Sequence, residues 1–106
     1  MGLFSETESW VKAGKLKNLA EKSRFVYKEK AYALFRTEDG VYALDDMCSH
    51  EHSLLSEGAL SGMEITCPKH GSRFSIKDGK ALNLPAVSPV KTYETKVEKG
   101  AVYIKL

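Results

Sequence analysis

The 106-residue sequence has little cysteine, little net charge and no long apolar run. Its two cysteines, Cys48 and Cys67, are too few for the multi-bridge framework of a small secreted domain. Because no apolar run exceeds five residues, we expect no transmembrane helix. The first fifteen residues hold no apolar stretch of the signal-peptide type, so we expect a cytoplasmic protein. The net charge of +2 is scattered along the chain, which argues against a nucleic-acid partner.

The length and composition predict one ordinary globular domain over 1–106. A typical domain has roughly 100–200 residues, so this chain has no room for a second one. Hydrophobic residues make up 42% of the sequence and charged residues 28%, as in folded soluble domains and unlike disordered chains.

The chain reads mainly as short β-strands separated by glycine-containing turns. Two aromatic and β-branched runs flank Glu38-Asp39-Gly40, which predicts a β-hairpin. Glu98-Lys99-Gly100 predicts a second hairpin turn near the end of the sequence. Helical periodicity is poor, and only 16–22 predicts a short helical turn. The sequence therefore predicts an all-β fold, a small antiparallel β-sandwich or barrel, with a loop-rich binding subdomain at about 47–85. The predicted strands are 24–28, 31–37, 41–44, 73–76, 90–97 and 101–106.

Every cysteine and every histidine of the chain lies between positions 48 and 70. Cys48-Ser49-His50 is followed after sixteen residues by Cys67-Pro68-Lys69-His70, a C-x-H…C-x-x-H pattern. Two thiolates and two imidazoles suit either a tetrahedral zinc ion or a [2Fe–2S] cluster with two histidine ligands. Common zinc modules group their cysteines in one half, whereas here each half has one cysteine and one histidine. This distribution favours the cluster, and a zinc-binding structural module remains the alternative.

These residues resemble the two cluster-binding boxes of Rieske proteins, the second box extending through Gly71-Ser72. Further along, Phe74, Gly79 and Pro85-Ala86 occur in the order typical of the family's third, proline-containing loop. The resemblance covers most of the chain. It implies one [2Fe–2S] cluster per chain, with one iron held by Cys48 and Cys67 and the other by His50 and His70.

The resemblance also implies roles for residues around the ligands. Gly71 is expected to allow close backbone approach, Ser72 to donate from its hydroxyl to a bridging sulfide, and Pro85 to cover the cluster. Phe74 occupies the place of a tyrosine that donates to a ligating sulfur in high-potential relatives, so we expect a potential near the low end of the Rieske range, about −150 to +300 mV. His52 has no ligand role in the family pattern and is a candidate for partner docking.

Among Rieske proteins, the sequence is most similar in organisation to stand-alone ferredoxins. It lacks the two additional cysteines of membrane-complex Rieske subunits, and its length leaves no room for the catalytic domain of an oxygenase α-subunit. The resemblance implies an electron carrier, not itself an enzyme, that works between a flavin-dependent reductase and a terminal aromatic-ring-hydroxylating dioxygenase. We expect a monomer with no membrane or nucleic-acid partner. The small subunit of a nitrite reductase is the alternative within the family.

Overall fold

The computed structural model describes residues 10–47, 53–69, 71–84, 86 and 88–106. These residues form ten β-strands and two single 3₁₀ turns, Leu16–Asn18 and Leu55–Glu57. The described strands are β1 Trp10–Lys15, β2 Lys22–Tyr27, β3 Lys30–Thr37, β4 Gly40–Asp45, β5 Ala59–Ser61, β6 Glu64–Thr66, β7 Arg73–Ser75, β8 Thr92–Tyr93, β9 Thr95–Glu98 and β10 Ala101–Lys105.

The strands form three antiparallel sheets. A four-stranded sheet has the order β2-β3-β4-β8, a three-stranded sheet has the order β1-β10-β9, and the third consists of β5-β6-β7. The antiparallel all-β fold predicted from the sequence is confirmed. None of the helices in the described part of the chain is long and apolar enough to cross a membrane.

The central strand β3 supplies side chains to two separate cores. Successive residues of a strand point to opposite faces, so Ala33 and Phe35 lie on one face and Leu34 lies on the other. We call the larger set of buried residues the first core; it joins the four-stranded sheet to the β5-β6-β7 sheet. The second core joins the four-stranded sheet to β10. The first core comprises Ala33, Phe35, Leu44, Leu55, Ile65, Cys67, Phe74, Ile76, Ala86 and Val90, and the second comprises Leu34, Ala43 and Ile104.

The predicted hairpins are present with the expected turns. Thr37 pairs with Gly40 across the β3–β4 turn, where the Thr37 hydroxyl accepts a hydrogen bond from the Asp39 amide at 3.1 Å. At the β9–β10 turn, Lys99 and Gly100 both have positive φ, 52° and 79°. This pair of left-handed residues is the backbone geometry that matches the twist of a two-residue hairpin.

The structure corrects the predicted strands and the predicted helical turn in several places. The run 90–97 is two strands, because the chain leaves the four-stranded sheet after Tyr93 and joins the other sheet at Thr95. The strand β1 was not predicted, since its lysines and Gly14 hide its alternation, and neither were the three-residue strands β5 and β6. The predicted helical turn within 16–22 is shorter in the structure, covering only Leu16–Asn18.

Candidate metal centre

The structure describes four of the nine site residues predicted from the sequence: Cys67, Gly71, Ser72 and Phe74. The other five lie outside the described residues; they are Cys48, His50, His52, His70 and Pro85. Within the described part, no group of three or more His, Cys, Asp or Glu side chains converges on a metal site. Because three of the four predicted ligands are not described, this result leaves the ligand set a prediction.

Cys67 is placed at the end of β6, where a tight turn begins. Its amide donates to the Ser72 carbonyl at 2.7 Å, and its carbonyl accepts from the Gly71 amide at 3.2 Å. These two bonds hold Gly71 and Ser72 against Cys67, so the described ends of the second box lie close together. Gly71 has a φ of 76°, which a residue with a side chain adopts only at a cost. The turn therefore needs glycine at this position for its backbone conformation.

Ser72 is fully buried and connects the second box to the third loop. Its hydroxyl oxygen accepts a hydrogen bond from the Ala86 amide at 3.1 Å. A hydroxyl has one proton to donate as well as lone pairs to accept. Accepting from Ala86 leaves the hydroxyl able to donate its own proton, so the structure is compatible with the predicted donation from Ser72 to a sulfur atom. The bond to Ala86 was not predicted from the sequence.

Asn83 is a further residue of this region that was not predicted from the sequence. Its side-chain oxygen accepts from the Arg73 amide at 2.6 Å, and its side-chain nitrogen donates to the Gly71 carbonyl at 3.4 Å. The Leu82 amide also donates to the Arg73 carbonyl at 2.8 Å. The third loop is thus held against the second box by side-chain and backbone bonds. An isolated asparagine in a loop gives no signal in the sequence for such a role.

The base of the first box is closed by backbone contacts on both sides of the predicted ligands. Met47 forms an isolated β-bridge with Leu54, and the Leu55 amide donates to the Asp46 carbonyl at 2.7 Å. The segment between them contains Cys48, His50 and His52. The structure therefore defines where this loop leaves the scaffold and where it returns.

The described residues fit an iron–sulfur group. Cys67 is 1% exposed, at the edge of an apolar core, where a thiolate is shielded from water and suits a soft metal. Phe74 is fully buried in the same core and pairs with Ile65 across β6 and β7. Phe74 carries no hydrogen-bond donor, so Ser72 is the buried side-chain donor that the described part of the box provides.

A polar network lies on β4 and β8, close in sequence to the first box. The Tyr93 hydroxyl donates to an Asp45 carboxylate oxygen at 2.5 Å, and Lys30 lies 3.1 Å from both groups. Burial and the adjacent carboxylate of Asp45 raise the pKa of Tyr93. Hydrogen bonds to Tyr93 and Asp45 raise the pKa of Lys30 above its usual value. The network therefore keeps Tyr93 neutral and Lys30 charged near neutral pH.

Comparison with known proteins identifies the family. A family model described as the Rieske [2Fe-2S] domain matches residues 9–94. The ferredoxin component of the naphthalene 1,2-dioxygenase/salicylate 5-hydroxylase systems of a Ralstonia species is 37% identical over 102 residues, covering 94% of this chain and 98% of the relative.

Solved structures show the same likeness along nearly the whole chain. The oxidised ferredoxin in complex with reduced oxygenase of carbazole 1,9a-dioxygenase has a TM-score of 0.87 and 31% identity, covering 92% of this chain and 94% of its own. A protein assigned as a nitrite reductase NADPH small subunit has a TM-score of 0.78 and 26% identity, covering 92% and 98%. The chain belongs to the Rieske [2Fe-2S] family, and its cofactor is one [2Fe–2S] cluster.

Proposed function

We propose that this chain is the ferredoxin component of an aromatic-ring dioxygenase system, carrying single electrons from a flavin-dependent reductase to a terminal oxygenase. The observation that carries the proposal is the 37% identity, over 94% of the chain, to a ferredoxin component of such systems. The match to a ferredoxin in complex with its oxygenase supports the oxygenase as a partner. The reductase follows from the family resemblance.

The proposed ligands are Cys48 and Cys67 for one iron and His50 and His70 for the other. When bound, the cluster accepts and returns one electron. Cys67, buried at the end of β6, supports the thiolate half of this assignment. Cys67 and His70 are assigned to the same box because they lie three residues apart in the sequence, and the bond from the Gly71 amide to the Cys67 carbonyl brings the end of this box back to Cys67.

Exposed apolar side chains beside the boxes support docking at this end of the molecule. Leu84, next to Pro85, is 76% exposed, and Met47, next to Cys48, is 46% exposed. Exposure of apolar side chains to water is unfavourable, so covering them with a partner protein stabilises the complex. We propose that the partner protein docks over the loops that carry the ligands, with His52 in the contact.

Spectroscopy of the purified protein tests the cofactor and the ligands. We expect a red-brown protein whose dithionite-reduced form gives the electron paramagnetic resonance signal of mixed histidine and cysteine ligation. His50→Ala should lose this signal, whereas the neighbouring His52→Ala should retain it. A colourless protein that binds one zinc ion per chain would contradict the proposal.

Electron transfer to a partner tests the carrier function. The reduced protein, mixed anaerobically with an oxidised aromatic-ring dioxygenase, should be reoxidised within the time of one catalytic cycle of the dioxygenase. Reoxidation by a nitrite reductase and not by the dioxygenase would favour the alternative function, the small subunit of a nitrite reductase. That alternative has less support, because the solved relative of that name is 26% identical to this chain.

The proposal includes three properties of the whole molecule. The chain is a single domain over 1–106 with a cluster-binding unit at about 47–85, it is a monomer, and it works in the cytoplasm. Small electron carriers exchange partners rapidly, which favours a monomer with one accessible docking face. Gel filtration of the cluster-containing protein at micromolar concentration should give the mass of one chain, 11.8 kDa.

A further inference from the structure

Asp46 is a buried carboxylate at the point where β4 leads into the first ligand box. It lies two residues before Cys48, and its side chain is fully buried. Among the described residues, Asp46 and Ser72 are the buried polar residues, and Asp46 alone of the two can carry a charge. Burying a carboxylate is unfavourable unless other groups pair with it.

The Asp46 carboxylate is paired on both oxygens. Oδ1 accepts from the Ser56 amide at 2.8 Å, and Oδ2 accepts from the Ser56 hydroxyl at 3.0 Å. Oδ2 also lies 3.2 Å from Nε of Arg24, a β2 residue whose side chain is half exposed. One carboxylate thus ties the 3₁₀ turn Leu55–Glu57 to β2 and to the end of β4.

The backbone of Asp46 contacts the same surroundings. Its amide donates to the Ala31 carbonyl at 3.3 Å, and its carbonyl accepts from the Leu55 amide at 2.7 Å. Together with the Met47–Leu54 bridge, these bonds join the start and the return of the segment 47–54. The two ends of the loop that contains Cys48 and His50 are therefore fixed to each other by Asp46 and its partners.

The neighbouring carboxylate, Asp45, has different partners from Asp46. Asp45 is partly exposed and pairs with Lys30 and Tyr93 on the other side of the strand, with no described contact to Ser56. Replacing a buried ion pair by well-packed apolar side chains is often neutral or stabilising. The contacts of Asp46 to the turn after the loop therefore point to placement of the loop as its role.

We propose that Asp46 is a positioning residue for the cluster: its carboxylate holds Ser56 and so fixes the loop that presents Cys48 and His50. The proposal rests on the ligand set of the proposed function. Asp46 is not one of the proposed ligands and acts through the geometry of the loop ends.

The test compares Asp46→Asn with Asp45→Asn in the cluster-containing protein. Asparagine keeps one carbonyl oxygen for the Ser56 amide and replaces the oxygen that accepts from the Ser56 hydroxyl and Arg24. Losing hydrogen bonds to a buried charged group should raise the rate of iron release to a chelator about tenfold or more. Asp45→Asn should change this rate less than about twofold, because its partners lie outside the loop.

Two milder variants keep the test decisive if Asp46→Asn fails to fold. Ser56→Ala and Arg24→Gln each remove one contact to the same carboxylate and leave the backbone bonds intact. Each should accelerate iron release more than Ile104→Val does, a second-core variant that serves as the reference for lost global stability. Each should also alter the g values of the reduced cluster, which a change in global stability leaves constant.

The outcomes separate this inference from the proposed function. If the wild-type protein holds the cluster while Ser56→Ala and Arg24→Gln release iron no faster than Ile104→Val at matched unfolding temperature, the positioning role is wrong. If the wild-type protein holds no cluster at all, the proposed function fails first. Faster release and shifted g values in all three variants of the carboxylate and its partners support the inference.

Discussion

Ser72 has a hydroxyl that can donate a hydrogen bond to a metal-bound sulfur, whereas Phe74 has no donor, and this difference affects the redox potential. Phe74→Tyr adds a hydroxyl to a fully buried ring in the core that contains Cys67. If the added hydrogen bond is about 1 kcal/mol stronger to the reduced cluster, the one-electron potential rises by roughly 40 mV. Protein-film voltammetry measures the shift. Phe74→Leu, which adds no donor, is the control, and an unchanged potential in a Phe74→Tyr protein with an intact cluster would refute the role assigned to this position.

Tyr93 gives the stability of the molecule a dependence on alkaline pH. Its pKa is raised in the folded state by burial and by Asp45, so folding favours the neutral hydroxyl. A group with a raised folded pKa contributes its stabilisation fully below its unfolded pKa, about 10, and loses it as the pH rises through the folded value. The raised pKa of Lys30 acts in the same direction. Unfolding temperatures of wild type and Tyr93→Phe should therefore differ most near neutral pH and converge above about pH 10.

At the residue scale, sequence reasoning singled out residues whose chemistry is rare and passed over those whose chemistry is ordinary. Cys67 was predicted because a thiol and an imidazole at such a short spacing, twice in one chain, are typical of a metal site. Asn83 and Asp46 are common loop and strand-end residues whose roles depend on what the fold brings against them. Those contacts join positions ten or more apart in the chain, so no local pattern reports them.

At the scale of elements, the β2–β3 hairpin contains an unusual turn. Lys28 and Glu29 both have positive φ, 51° and 68°, although neither is glycine or asparagine. A side chain in this region costs about 1–2 kcal/mol, and glycine avoids that cost but loses some entropy on folding. Glu29→Gly should therefore stabilise the protein by about 0.5–1 kcal/mol net, raising the unfolding temperature by roughly 2–4 °C.

The β3–β4 turn provides the matched control for this prediction. Glu38 is likewise an exposed glutamate in a two-residue turn, but its φ is not positive. Glu38→Gly should lower the stability by about 0.5–1 kcal/mol, because only the entropic cost of glycine remains. Thermal unfolding followed by circular dichroism compares the two variants. Stabilisation by both substitutions would show that the backbone strain in the β2–β3 turn is not the cause.

The strand predictions did not simply follow strand length, since the six-residue β1 was missed and the three-residue β7 was predicted. The eight-residue β3 and its hairpin with β4 were predicted because two aromatic and β-branched runs flank a glycine-containing turn. The strands β5 and β6 have three residues each, too few for a period to be visible. The break between β8 and β9 was missed because alternation continues through it, and only tertiary packing sends the two halves to different sheets.

At the scale of the whole molecule, the four-stranded sheet separates the site from the rest of the fold. Its first-core face packs against Ile65, Cys67 and Phe74, and its opposite face packs against Ile104. The sequence predicted an all-β scaffold with a loop-rich middle, but not this division into two cores. Adjacent residues of β3 belong to different cores, and which face meets which sheet is decided by long-range packing.

The two cores predict that equal losses of stability have unequal effects on the cluster. Ile65→Val and Ile104→Val remove the same methylene from fully buried strand positions, and each should cost about 1 kcal/mol. Ile65 shares its core with Cys67 and pairs with Phe74, whereas Ile104 packs on Leu34 and Ala43. Ile65→Val should therefore accelerate iron release to a chelator several-fold at unchanged temperature, and Ile104→Val should leave it near the wild-type rate. Equal acceleration by both variants would mean that the cluster is released through global unfolding, since only that process exposes both cores together.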